Sequence, residues 1–232
     1  MKKILFLSLA LIFTLKVQAQ LFTIGNYDVG FLYLGPKIGA GGSWMTNTST
    51  FGSETSTLLG YQFGAVGKMG FTEKFSIQPE LLYSKKGVKQ ILSNGGESES
   101  LASYLGIPIL AKLSVIKFQN IKLHGSGGIY TNVTLSSKSR YTFDEFEETH
   151  HIERTDYKTV DFGFSFGGGF EYETEKGILV GELLLEHGTV DIYEDDFFAK
   201  SNRNTTLSFA ATYLIDLASL SKKLFNKEEV NQ

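Results

Sequence analysis

The sequence predicts an all-β protein, an eight-stranded antiparallel up-and-down transmembrane β-barrel, on three observations. Eight stretches alternate apolar residues with small or polar ones at period two, the signature of a strand with two unlike faces. The segments joining them are alternately short and long. After the N-terminal region no run reaches the ~18 consecutive apolar residues expected of a membrane helix.

In chain order the first element is an address. Lys2 and Lys3 precede an apolar run from Ile4 to Leu15, and Val17-Gln18-Ala19 places small or apolar residues where a signal peptidase reads. The run is shorter than the ~20 residues of a spanning helix, so residues 1–19 are expected to be a signal peptide cleaved after Ala19. A periplasmic N-terminal segment over 20–29, a barrel over 30–215 and a periplasmic C-terminal tail over 216–232 complete the expected organisation.

The first strand lies near Phe31 to Trp44, its phase blurred by glycines. The second puts Leu59, Tyr61, Phe63, Ala65 and Met69 on one face and Gln62, Val66 and Lys68 on the other. The third sets Phe75, Ile77, Pro79, Leu81 and Tyr83 against Ser76, Gln78, Glu80 and Ser84. The fourth sets Leu105, Ile107, Ile109 and Leu113 against Tyr104, Pro108 and Lys112, and the fifth sets Ile121, Leu123, Ile129 and Val133 against Lys122, His124, Ser126 and Tyr130. In the sixth, Phe162, Phe164, Phe166 and Phe170 oppose Asp161, Ser165 and Glu171. The seventh, less regular, opposes Leu179, Leu183 and Leu185 to Glu182, Leu184 and Glu186. The eighth opposes Leu207, Phe209, Tyr213 and Ile215 to Thr206, Ser208 and Thr212.

Phe71 to Lys74, Lys117 to Asn120 and Thr174 to Gly177 are tight turns, whereas Met45 to Thr57, Lys85 to Ser100, Ser136 to Lys158 and Asp191 to Arg203 are long and polar. Strict alternation puts all turns at one end of a closed meander and all loops at the other, the arrangement of short periplasmic turns and long external loops. A soluble carrier barrel also alternates, but with an apolar interior and a solvated, charged exterior. Here the polar face is small and sparsely charged, as suits side chains crowded inside a narrow barrel. Trp44, Tyr61, Phe71, Phe75, Tyr83, Tyr172 and Tyr213 fall near strand ends, where aromatic girdles meet headgroups.

Composition narrows function. There is no cysteine, which removes disulfides, thiolate metal sites and cysteine nucleophiles. The formal charge is -3, and losing Lys2, Lys3 and Lys16 with the leader lowers the 22 basic residues to 19 against 25 acids. Such a chain has no basic field for nucleic acid. All three prolines fall inside strands, where each removes a ladder donor, and local bulges are the expected accommodation.

Gly35-Pro36-Lys37-Ile38-Gly39, the run Ile77-Gln78-Pro79-Glu80-Leu81-Leu82-Tyr83-Ser84-Lys85-Lys86-Gly87, and Tyr104-Leu105-Gly106-Ile107-Pro108 running to Lys112 carry a family resemblance. Gly167-Gly168-Gly169-Phe170-Glu171 and Glu182 to Gly188 are looser matches. On these the chain resembles the PorT-like outer-membrane β-barrels of Gram-negative bacteria. The resemblance implies an outer-membrane location and, through the family's name-bearing member, a part in assembling a secretion machine. Most such barrels have no assigned activity, and fold alone does not transfer a role. Unlike the usual barrel, which ends on an aromatic residue, this chain continues past Ile215 to Gln232.

By parity the lumen receives Lys37, Lys68, Glu80, Lys112, Lys122, His124, Asp161, Glu171, Glu182 and Glu186, expected to form a structural ion-pair network. Asp144, Glu145, Glu147, Glu148, His150 and His151 form an acidic external loop that could bind a partner or a cation, although adjacent histidines lack the spacing of a preformed metal site. His187 and Ser201 have no acid to orient them, and no nucleophile-elbow or zinc-protease motif occurs, so no enzyme, cofactor or metal is expected. The expected partners are outer-membrane lipid and a protein docking on the loops or the tail. The expected function is a binding or assembly component. A narrow solute channel is the alternative, and a soluble carrier or a lipid-active enzyme ranks lower.

Overall fold

Period-two alternation gives each strand one apolar and one polar face, and in the computed structural model of the chain that pattern closes a ring. The structure describes residues 23–24, 27–46, 54–91, 97–142, 149–152, 158–191 and 203–217. Strands β1 (Thr23–Ile24) and β2 (Tyr27–Asp28) form a small ribbon ahead of the barrel. The barrel strands are β3 (Phe31–Thr46), β4 (Glu54–Gly70), β5 (Phe75–Ile91), β6 (Glu97–Phe118), β7 (Ile121–Thr142), β9 (Val160–Thr174), β10 (Gly177–Gly188) and β11 (Arg203–Asp216). A four-residue strand, β8 (Thr149–Ile152), adds to the upper end of β7. Each barrel strand pairs antiparallel with the next, and β11 pairs with β3 to close the ring. Of the expected organisation, the leader 1–19, the acidic stretch from Asp144 to Glu148, Ser201 and residues 218–232 lie outside the described residues.

The faces follow the expected parity. Leu81, Ile107, Phe164, Phe166, Leu183 and Phe209 are exposed on the outside, while Lys37, Lys68, Glu80, Lys112, Glu171 and Glu182 are buried inside. The glycine-blurred first strand resolves the same way, with Leu34 and Ile38 outward and Lys37 and Ser43 inward. At the periplasmic end the lumen is not wholly polar, because Val66, Ile178, Val180 and Leu214 cluster there with Tyr33.

Two expectations need correction. The strands run further outward than read: within the stretch from Lys85 to Ser100, residues 85–91 and 97–100 are strand, and β6 and β7 reach 22 residues each. The prolines are not accommodated by bulges. Pairing of β5 with β6 passes from Pro79↔Ile109 to Leu82↔Gly106 without a change of register, so the ladder skips the pairs around Pro108 and resumes in step. The same happens beside Pro79 between β4 and β5, and beside Pro36 between β11 and β3. A missing N–H removes a rung; it does not require an added residue. Bulges do occur, near the rims, at Thr57/Tyr61, Ser103/Tyr104 and Ser114/Ile116.

Candidate functional site: the charged lumen

Small residues make room for the charges. In one row around the barrel His124 pairs with Gly169, Gly169 with Glu182, Glu182 with Ala210, and Ala210 with Gly39. Gly169 has no side chain to stand between His124 and Glu182, so the imidazole reaches the carboxylate across β9. Its Nε2 lies 3.4 Å from Glu182 Oε1, and its Nδ1 lies 4.0 Å from Glu171. Lys112 similarly faces Ser126 and Gly167 along its row.

The inner network draws on seven of the eight strands. Lys68 Nζ (β4) donates to Glu171 (β9) at 2.6 Å. Glu182 (β10) forms an ion pair with Lys112 (β6) at 2.5 Å and accepts a hydrogen bond from Lys37 (β3) at 3.2 Å. Lys37 also donates to Glu80 (β5) at 2.8 Å, and Gln78 Nε2 donates to the same carboxylate at 2.5 Å. His124 (β7) joins the Lys68–Glu171 pair to the Glu182 group. Three lysines therefore face three glutamates with side chains almost without solvent exposure. Desolvating six such ions costs several kcal/mol each unless every one is paired, which this geometry achieves.

A second cluster lies toward the external end. Lys86 (β5) pairs with Glu186 (β10), and its ammonium sits 5.4 Å from the centre of the Tyr130 ring. Asn204 Nδ2 (β11) donates to Tyr104 Oη at 3.3 Å and to Asp161 Oδ2 (β9) at 3.4 Å. Just below the rim the Ser43 hydroxyl accepts from Gly87 N–H at 2.9 Å and lies 2.8 Å from the Gly87 carbonyl, tying β3 to β5 across the gap left by the β4 bulge. Between the clusters a void of about 10 Å³, bordered by Gly41, Gly60, Gln62, Lys86 and Ser208, has room for roughly one water.

All ten parity-assigned charges face the interior, but Lys122 stands apart from the network. It turns to the periplasmic mouth and pairs with Glu173 at 2.5 Å, both side chains partly exposed. Sequence reasoning missed Lys86 because Lys85 to Ser100 read as a loop, although Ser84, Lys86 and Val88 continue the inward parity. His150 and His151 lie on β8, away from the lumen network. His187 is half-buried with Nδ1 3.0 Å from Thr205 Oγ1. Among the described residues no group of three or more His, Cys, Asp or Glu is placed to hold a metal ion.

A closed eight-stranded ring with charges inside and an apolar band outside is the frame into which the family comparison fits. Residues 18–192 match the family model described as outer membrane protein beta-barrel domain. The chain belongs to this family. An outer-membrane location follows, with the apolar outer band in lipid; barrels of this kind set their short turns toward the periplasm and their longer loops outside.

Similar solved structures include Neisserial surface protein A, at 9% identity and a TM-score of 0.43, covering 78% of this chain and 96% of that one. OprG from Pseudomonas aeruginosa shows 11% identity and a TM-score of 0.44, covering 84% and 97%. Ail, the attachment invasion locus protein of Yersinia pestis, shows 9% identity and a TM-score of 0.38, covering 80% and 99%. No curated protein matches the chain.

Proposed function

We propose that this outer-membrane barrel acts as a binding or assembly component through its external surface, with a sealed lumen that serves as its structural core. The observation that carries the reading is the length of β6 and β7, 22 residues each. A tilted strand crosses the membrane in about 9 to 11 residues. The excess continues the sheet outward on one side only, where β4, β5, β6, β7 and β8 pair in sequence beyond the level at which β3, β9 and β10 end. A paired, extended sheet outside the membrane is a platform for a partner, and the polar loops between its strands add to that surface.

The PorT-like sequence motifs make secretion-related assembly the favoured context, and no catalytic step is part of this reading. The test replaces residues 89–99 with a short turn, removing the distal part of the β5–β6 hairpin while leaving its membrane-spanning residues intact. The variant should stay folded, judged by a mobility change on boiling, and should lose partners that cross-link to the native protein after mild detergent extraction. An unchanged set of cross-linked partners would sink the proposal.

A further inference from the structure

Buried charge does not balance at the external end of the lumen. The deeper network sets Lys37, Lys68 and Lys112 against Glu80, Glu171 and Glu182 and is neutral with His124 uncharged. The outer cluster sets Lys86 against both Glu186 and Asp161, and Lys86 is already held by Glu186. Asp161, the first inward residue of β9, is 3% exposed. Among the described residues it forms no ion pair. Asn204 donates to its Oδ2, and Asn132 and Tyr130 lie beside the same carboxylate, yet Oδ1 has no hydrogen-bond partner. That oxygen is aimed at the end of β10. Gly188 closes the strand opposite Gly163. A Cβ built on Gly188 would lie 3.1 Å from Asp161 Oδ1, 3.3 Å from the Asn204 main-chain oxygen and 3.3 Å from Tyr130 Oη.

We propose that Asp161 Oδ1, the Asn204 carbonyl and Tyr130 Oη bind a calcium ion at the external mouth of the lumen, with water completing its shell. A carboxylate and a carbonyl oxygen can only accept, and a phenol oxygen accepts as well as donates. Acceptors converging on one spot beside an unpaired buried carboxylate need positive charge among them. A water alone would supply hydrogens and leave the charge uncompensated. The donor set is all oxygen, which suits a hard cation, and calcium tolerates irregular oxygen shells where magnesium demands a near-ideal octahedron. Two of the three oxygens come from a main chain and a phenol, so the site needs no cluster of carboxylates. With a single carboxylate it belongs with the weak sites of extracellular modules, at roughly 0.1 to 1 mM. The ion joins the first residues of β9 and β11 to the last residue of β10. It thereby pins both strand ends from which the loop between β10 and β11 departs.

The test uses full-length protein in detergent micelles, with terbium as the probe, its luminescence excited through tyrosine, and calcium as the competitor. The native barrel should give a terbium signal that calcium displaces at roughly 0.1 to 1 mM, and magnesium at the same concentration should not displace it. Asp161→Asn removes the charge, and Gly188→Ala sets a methyl among the three oxygens. Each should weaken binding about tenfold or more. Both should stay folded, judged by a mobility change on boiling, and if Asp161→Asn does not fold, Gly188→Ala decides. Replacing Asp144, Glu145, Glu147 and Glu148 with Ser clears the acidic loop and should leave the calcium-displaceable signal in place. Absence of that signal in the native barrel, its retention in folded Asp161→Asn or Gly188→Ala, its loss with the acidic loop, or equal displacement by magnesium would each overturn the proposal.

Discussion

At the scale of single residues, Glu182 has the most partners of any lumen carboxylate, reached by Lys112, Lys37 and His124. Glu182→Gln leaves the buried Lys112 ammonium without its counter-charge and Lys37 with Glu80 alone, and should cost about 3 to 5 kcal/mol, read from urea unfolding in lipid vesicles. Adding Lys112→Met should recover part of that loss, and a loss that only deepens would show that the two do not act as a pair. By contrast Lys122→Met, at the solvated mouth, should change stability by no more than about 1 kcal/mol. Parity makes a second comparison. Phe166 is outward and exposed midway along β9, whereas the neighbouring Ser165 is buried in the lumen. Phe166→Arg should cost about 2 to 4 kcal/mol by placing a charge in lipid, and Cys variants at the two positions should label oppositely with a membrane-confined reagent. Reversed labelling would mean a one-residue slip of register, and equal labelling would mean that the two residues do not face opposite sides of the sheet.

The strand is the scale at which the sequence was most and least legible. The outward faces of β5, β6, β7 and β9 were readable because aliphatic and aromatic residues recur at strict period two. The lumen charges followed from the same parity. The outer ends were not readable, since Lys85 and Lys86 interrupt the apolar face just where the strand leaves the lipid, and loss of an apolar face looks like the end of a strand. For the same reason Lys86 went unseen, and the pairing of Lys122 with Glu173 could not be foreseen because Glu173 lay beyond the assigned strand. The prolines misled in another way, because a missing donor leaves a gap in the ladder that sequence cannot tell from a bulge. Glycine placement explains how charged strands sit side by side. A Cβ at Gly169 would collide with the Gly181 carbonyl oxygen and stand 3.0 Å from Glu182 Cα. Gly169→Val should therefore prevent His124 and Glu182 from meeting across β9. The barrel should fold slowly or not at all into vesicles, measured by the fraction whose mobility changes on boiling, whereas Gly125→Ala, where a Cβ meets nothing within 4 Å, should fold normally.

At the scale of the whole molecule, the question is whether ions pass through the ring. Eight strands enclose a space about wide enough to be filled by side chains, unlike the 16-stranded porins. Here that space holds Lys37, Lys68, Lys86 and Lys112 against Glu80, Glu171, Glu182 and Glu186, with Tyr104 and Tyr130 fully buried among them. The ion pairs cross from wall to wall, β4 to β9 and β5 to β10, so they block the passage as well as line it. The void beside Gln62 and Ser208 has room for roughly one water. A permeating ion would need several buried pairs to separate at once, each at a cost of about 3 to 5 kcal/mol. Purified protein in planar bilayers should accordingly give no stable, salt-dependent conductance steps. Glu80→Gln with Glu182→Gln should lower the unfolding midpoint without opening a pore, because the freed Lys37 and Lys112 still occupy the lumen. Reproducible single-channel currents from the native barrel, with ion selectivity altered by those two substitutions, would establish the channel instead and show that the lumen network opens as a unit.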